Sequence, residues 1–114
     1  FAFRRLVRDK DFRASGSGLI DYDVDKIDMR CVETSFNISK KMSFQSMAYD
    51  FLRNESGEPE FCEISYAYVS RAVYNCPGYW DTELNWHAGH WWPEHLHLMD
   101  ALGIHDLEAP FLDY

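Results

Sequence analysis

On either side of the polar turn "NESG" (Asn54–Gly57) the chain alternates between residue classes. Successive side chains on a strand point to opposite faces. Upstream, Met47, Tyr49 and Phe51 share one face, and Ala48, Asp50 and Leu52 share the other. Downstream, Cys62, Ile64 and Tyr66 share one face, and Phe61, Glu63 and Ser65 share the opposite one. Two β-rich runs around a Gly-containing turn predict an antiparallel hairpin. With both wholly apolar faces turned to the core, Asp50 and Glu63 look the same way. A turn over Asn54–Gly57 sets Arg53 opposite Glu58 and Asp50 opposite Phe61. Glu63 then lies one diagonal step from Asp50, roughly 7 Å at the backbone. The shared face does not depend on that register.

The rest of the pattern completes an order of β, loop, α, β, β, α. Phe1–Arg8 is apolar and basic and predicts a strand, on which Arg5 faces away from Arg4 and Arg8. Arg8–Gly18 is polar and rich in Gly and Ser, hence a loop. "LIDYD" predicts a short strand. Ile27, Cys31, Val32, Ser35, Phe36 and Ile38 recur at mostly helical spacing, with Asp25 as the cap and Lys40 and Lys41 at the C-terminal end. "NCPGYW" predicts a turn. "WPEHLHLMDALG" predicts a helix with Pro93 in its first turn and Gly103 closing it. The expected fold is α+β, an antiparallel sheet with helices packed on one side, in a single domain over residues 1–114.

Charge and cysteine content narrow the function classes. The net charge of −8 disfavours a broad nucleic-acid surface. Three cysteines without a CxxC leave one unpaired in any disulfide scheme, which fits a reducing, cytoplasmic setting. No apolar run is long enough to span a bilayer, so no membrane partner is expected. The opening "FAFRRLV" reads as a strand already under way. The chain is therefore expected to be a piece of a longer protein whose N-terminal part is missing.

Two carboxylates on one strand face repel unless a positive charge lies between them. A hard divalent cation such as Mg²⁺ takes carboxylate oxygens together with phosphate oxygens and water. Ser65, two residues past Glu63, offers a neutral oxygen. The plain alternative is that Asp50 and Glu63 pair with arginines on a solvated face. The loop "DFRASGSG" bears on the choice. Gly16 and Gly18 let the backbone approach an anion, Ser15 and Ser17 offer hydroxyls, and Arg13 can contact phosphate in bidentate fashion. It is not a Walker motif.

These pieces together, "FAFRRLVRDKDFRASGSG", "MAYDFLRNESGEPEF" and "CEISY", resemble the C-terminal half of an ATP-grasp domain. The resemblance covers about Phe1 to Gly78, and "CPG" (Cys76–Gly78) matches the Pro-Gly that often follows the metal strand in that family. It implies that Asp50 and Glu63 are Mg²⁺ carboxylates and that Ser65 stands where an Asn is usual. It implies catalytic roles for Arg13 and Arg5 on phosphate or an acyl phosphate, and ATP-phosphate binding by Arg13, Ser15, Gly16 and Ser17. The implied activity is ADP-forming ligation with Mg²⁺ and ATP, joining a small-molecule carboxylate to an amine or other nucleophile. Rival readings are a non-catalytic ATP-grasp-like domain that binds a ligand or partner, and an ATP-grasp phosphotransferase. The Asn-to-Ser departure favours the non-catalytic rival, whereas Asp50, Glu63 and Arg13 oppose it. By the resemblance, the family's adenine pocket and glycine-rich lid lie mostly upstream of Phe1, so the chain alone is expected to be inactive. No side-chain nucleophile is needed, and Cys62 is read as core.

The stretch "GYWD…WHAGHWWPE" (Gly78–Glu94), within the Trp- and His-rich segment "WDTELNWHAGHWWPEHLHLMD", resembles a tail found in uncharacterised ATP-grasp proteins of bacterial surface-polysaccharide loci. His87, His90, His95 and His97 invite a zinc reading, but their spacing matches no common zinc module. Its tryptophans serve equally to seal one end of the domain. A third use is an acceptor or sugar site, because Trp, His and Glu94 suit a polar ligand with apolar faces.

Overall fold

A computed structural model describes residues 1–7 and 19–108. The elements run β1 (Arg4–Arg5), β2 (Ile20–Asp21), α1 (Met29–Met42), β3 (Ala48–Arg53), β4 (Pro59–Ser65), α2 (Ser70–Tyr74), β5 (Gly78–Trp80), β6 (Trp86–Ala88) and α3 (Pro93–Leu102). The class is α+β. Among the described residues the strands form three separate two-stranded antiparallel ladders, β1–β2, β3–β4 and β5–β6, where one sheet was expected. β1, β2, β5 and β6 are only two or three residues long. Among the described residues no helix is long and apolar enough to cross a membrane.

The cap of helix α1 lies three residues later than predicted. Asp23 caps a 3₁₀ turn over Val24–Lys26, accepting from the Asp25 N–H, and the Asp28 side chain accepts from the Arg30 N–H to cap α1. Asp25 is therefore inside the 3₁₀ turn and is not the cap. Lys40 and Lys41 occupy the last turn, where they oppose the helix dipole. The apolar stripe read from sequence (Ile27, Cys31, Val32, Ser35, Phe36 and Ile38) is half-buried throughout.

α1 lies along the β3–β4 hairpin, tied to it at both ends. At the turn end, Arg30 pairs with Glu58, and Arg53 lies 3.9 Å from Asp28. At the far end, Ser39 Oγ and Tyr49 Oη are 2.5 Å apart. Nine helical residues from Arg30 to Ser39 span about 14 Å. Four strand residues from Arg53 to Tyr49 span about 13 Å. The two elements are thus commensurate, and α1 lies over the Tyr49 face of the hairpin, leaving Phe61 and Ile64 of β4 exposed.

The most buried apolar side chains lie elsewhere: Ala72 and Val73 of α2, Trp80 of β5, and Cys76 in the turn between them. Tyr22 Oη donates to the Ala72 carbonyl at 3.0 Å, and the Phe3 and Tyr22 rings meet at 5.8 Å, which docks β1–β2 on this core. Cys76 is fully buried, and burial pushes its thiol up to about 11, so it stays protonated and unreactive. All three cysteines are free thiols, and Cys62, read as core from sequence, is exposed.

Ion pairs at two helix and strand ends give the fold an acid limit. The Arg4 hydrogen bond, followed by the Asp23 N–H, holds the Asp21 carboxyl at about 2. The Arg30 side chain does the same for Asp28. A carboxyl whose pKa falls on folding adds stability above its ordinary value of 3.8 and loses that contribution as pH falls through about 2. The urea midpoint should therefore hold near pH 5 and fall progressively below about pH 4. Asp21→Asn should lower the midpoint at pH 5 and flatten its dependence on pH. An equally steep acid limb in Asp21→Asn would remove Asp21 from this account.

Candidate functional site

The hairpin brings the two predicted carboxylates face to face. Asn54 organises the turn: its Oδ1 accepts from the Ser56 and Glu58 N–H groups, at 3.0 and 2.9 Å. Its own N–H bonds the Glu58 carbonyl at 2.9 Å, so Asn54 and Glu58 close the loop. Gly57 takes φ +78°, the left-handed position that follows a type I turn in such loops. Arg53 therefore opposes Pro59, one residue beyond the predicted Glu58, and Phe51 opposes Phe61.

A one-residue slip alone would have put Asp50 opposite Cys62. A bulge between Asp50 and Phe51 instead absorbs Cys62, and Asp50 stands directly opposite Glu63. The slip at the turn also puts Phe61 on the face of Tyr49 and Phe51, whose rings it meets at 6.2 and 5.7 Å, and the bulge then turns Glu63 to the opposite face. That corrects the predicted grouping of Phe61 with Glu63 and Ser65. The outer face carries Ala48 opposite Ser65, Asp50 opposite Glu63 and Leu52 opposite Glu60. Directly opposed residues have Cβ atoms about 5 Å apart, closer than the predicted diagonal.

Both carboxylates are exposed and point away from the face that α1 covers. Among the described residues neither has a cationic partner. Arg4 goes to Asp21, and Arg30 to Asp28 and Glu58. Arg53 goes to the Gly57 carbonyl and toward Asp28. Arg5 lies 6.0 Å from the Phe3 ring, on a different ladder from Asp50. Like charges set opposite one another destabilise a ladder, so a cation added here is favoured twice, by attraction and by relief of repulsion. Ser65 sits on the same face, but its Oγ donates to the Ala67 carbonyl at 2.9 Å and accepts from the Ala67 N–H at 3.1 Å. Its hydroxyl thus closes a local turn. Arg13, Ser15, Gly16 and Ser17 lie outside the described residues.

The histidines do not converge. His87 Nε2 is 2.8 Å from Asp81 Oδ2, and this bond, with the Asn85 N–H, holds the Asp81 carboxyl at about 2. His90 Nδ1 is 2.8 Å from the Tyr74 carbonyl. His97 Nε2 meets Ser46 Oγ at 2.6 Å and Tyr68 Oη at 2.8 Å. Among the described residues no group of three or more His, Cys, Asp or Glu side chains is set to hold a metal ion. The tryptophans and tyrosines pack on one another: Tyr79 on Trp91 at 4.9 Å, Trp80 on Trp86 at 4.7 Å, Tyr74 on Trp92 at 4.2 Å. A cleft of about 320 Å³, unforeseen from sequence apart from Glu94 and the tryptophans, is lined by Ser70, Arg71, Trp92 and Glu94. No family model, curated protein or solved structure matches the chain.

Proposed function

We propose that the chain is the C-terminal part of an ATP-grasp ligase, in which Asp50 and Glu63 hold the Mg²⁺ of Mg-ATP. The observation that carries this is the directly opposed, exposed Asp50–Glu63 pair, left without a cation among the described residues. Two carboxylates and a nearby hydroxyl form an all-oxygen donor set, which suits Mg²⁺ better than a softer metal. Bound Mg²⁺ neutralises phosphate charge during transfer. The chain's own share is to fix two anionic oxygens on a rigid ladder, with Arg13 and Arg5 as the cations that would meet phosphate. The substrate carboxylate attacks the γ-phosphorus, ADP leaves, and the amine then displaces phosphate from the acyl phosphate. The engaged Ser65 hydroxyl favours one alternative, a domain of this fold that binds a ligand without catalysis.

Mn²⁺ can replace Mg²⁺ as a paramagnetic reporter. With Mn-ATP added to the chain, the amide resonances of Asp50, Glu63 and Ser65 should broaden first. The double variant Asp50→Asn, Glu63→Gln should abolish that broadening and keep its helical circular dichroism. Broadening centred on another segment, or unchanged in the double variant, would reject the metal assignment.

A further inference from the structure

The cleft between α2 and α3 has walls of opposite charge. Ser70 and Arg71 come from the first turn of α2, and Trp92 and Glu94 from the start of α3. Tyr74 stacks on Trp92 with the planes 18° apart, which fixes the indole. The Arg71 guanidinium lies 6.0 Å from the Trp92 ring centre, and among the described residues it has no carboxylate partner. Ser70 Oγ donates to one oxygen of Glu94, which orients the carboxylate and leaves its other oxygen available. A cation and an anion thus share one small cleft without forming an ion pair to each other.

We propose that this cleft binds a small zwitterion of the amino-acid class, its carboxylate on Arg71 and its ammonium group on Glu94. A planar guanidinium fork suits a carboxylate, and a carboxylate oxygen suits an ammonium group. The volume, about 320 Å³, is at the small end of ligand sites. The net charge of −8 repels a free anion from the surface, whereas a zwitterion carries no net charge. Ser70 is five residue steps beyond Ser65, so the cleft begins within about 18 Å of the end of β4. Binding does not depend on Mg²⁺ or ATP. Only the further role of the ligand, as the amine that attacks an acyl phosphate, rests on the ligase assignment above.

The test is a nitrogen-15 NMR titration of the chain without metal or nucleotide. The probes are glycine, β-alanine and γ-aminobutyrate, which space the two charges progressively. At least one should give saturable shifts at the Arg71 amide and the Trp92 indole N–H, with Kd on the order of 0.1–1 mM. Arg71→Gln and Glu94→Gln, which keep side-chain shape, should each weaken binding at least about tenfold. Acetate, methylammonium and glucose should bind at least about tenfold less tightly than the best zwitterion. No saturable shift up to about 20 mM of any zwitterion would overturn the proposal. So would acetate binding as tightly as the best zwitterion, which marks a plain anion site, or glucose doing so, which marks a sugar site. Unchanged binding in Glu94→Gln would also overturn it. None of these outcomes touches the Mn-ATP experiment, so the two proposals fail independently.

Discussion

Asp50→Asn or Glu63→Gln is expected, under the ligase proposal, to lower Mg²⁺-dependent ATP turnover at least about tenfold, about 1.4 kcal/mol of transition-state stabilisation. The sign of the accompanying stability change makes the result specific. The two side chains face each other across the ladder with no cation between them among the described residues. Neutralising either one removes repulsion between opposed like charges, a term of about 0.2–1 kcal/mol. The metal-free fold should therefore become slightly more stable while turnover falls. A residue needed only for folding would move both in the same direction. Steady-state kinetics across a Mg²⁺ titration, paired with urea unfolding in chelator, reads both quantities. Unchanged turnover in both variants, or a loss of turnover that tracks a loss of stability, would reject the metal role.

Gly78→Ala is expected to be the most crowded glycine-to-alanine change among the described residues. Gly78 is buried and pairs with Ala88 across β5–β6. A Cβ at this position would lie 2.5 Å from Trp86 Cζ2 and 2.8 Å from Trp86 Cη2, and closer still to the His87 carbonyl oxygen. The indole has limited room because it packs on Trp80, and the carbonyl is backbone and cannot swing aside. Overpacking of this kind costs about 3 kcal/mol. Gly57→Ala serves as the control. Gly57 has open space around it and φ +78°, so its cost is conformational alone, about 1 kcal/mol. Urea unfolding of both variants checks the contrast. If Gly78→Ala costs no more than Gly57→Ala, β5 and β6 do not approach as closely as described.

Alternation made the shared face of Asp50 and Glu63 legible, because side-chain period on a strand is set by the backbone and not by its neighbours. The register was not legible. It depends on the left-handed Gly57 and on a bulge that sets Cys62 aside, and neither leaves a mark in the alternation pattern. The slip at the turn explains why Phe61 joined the aromatic face, and the bulge why Glu63 did not join it too. Helix α3 was plain from Pro93 and Gly103. In "DYDVDKID" four aspartates compete as caps, and local geometry gave the 3₁₀ turn to Asp23 and α1 to Asp28. α2 and the β5–β6 hairpin escaped notice because five- and three-residue elements have no periodicity to detect. They are held by packing around Cys76 and Trp80. Arg71 and Ser70 went unremarked for the same reason: only the meeting of α2 and α3 gives them a role.

In a two-stranded ladder every strand is an edge strand. β3 and β4 therefore each present an outward row of N–H and C=O groups that another strand can copy. Pro59 removes one donor where β4 begins, and Glu60 and Glu63 place negative charge along it. Against this stand the exposed side chains of Leu52, Phe61 and Ile64 on the same hairpin. The two glutamates thus stand in the place of gatekeepers, and Glu63 is a candidate ligand as well. Their charge keeps an apolar, open-edged hairpin from pairing with its own copies, and conditions that neutralise them turn the hairpin into a nucleus for self-association.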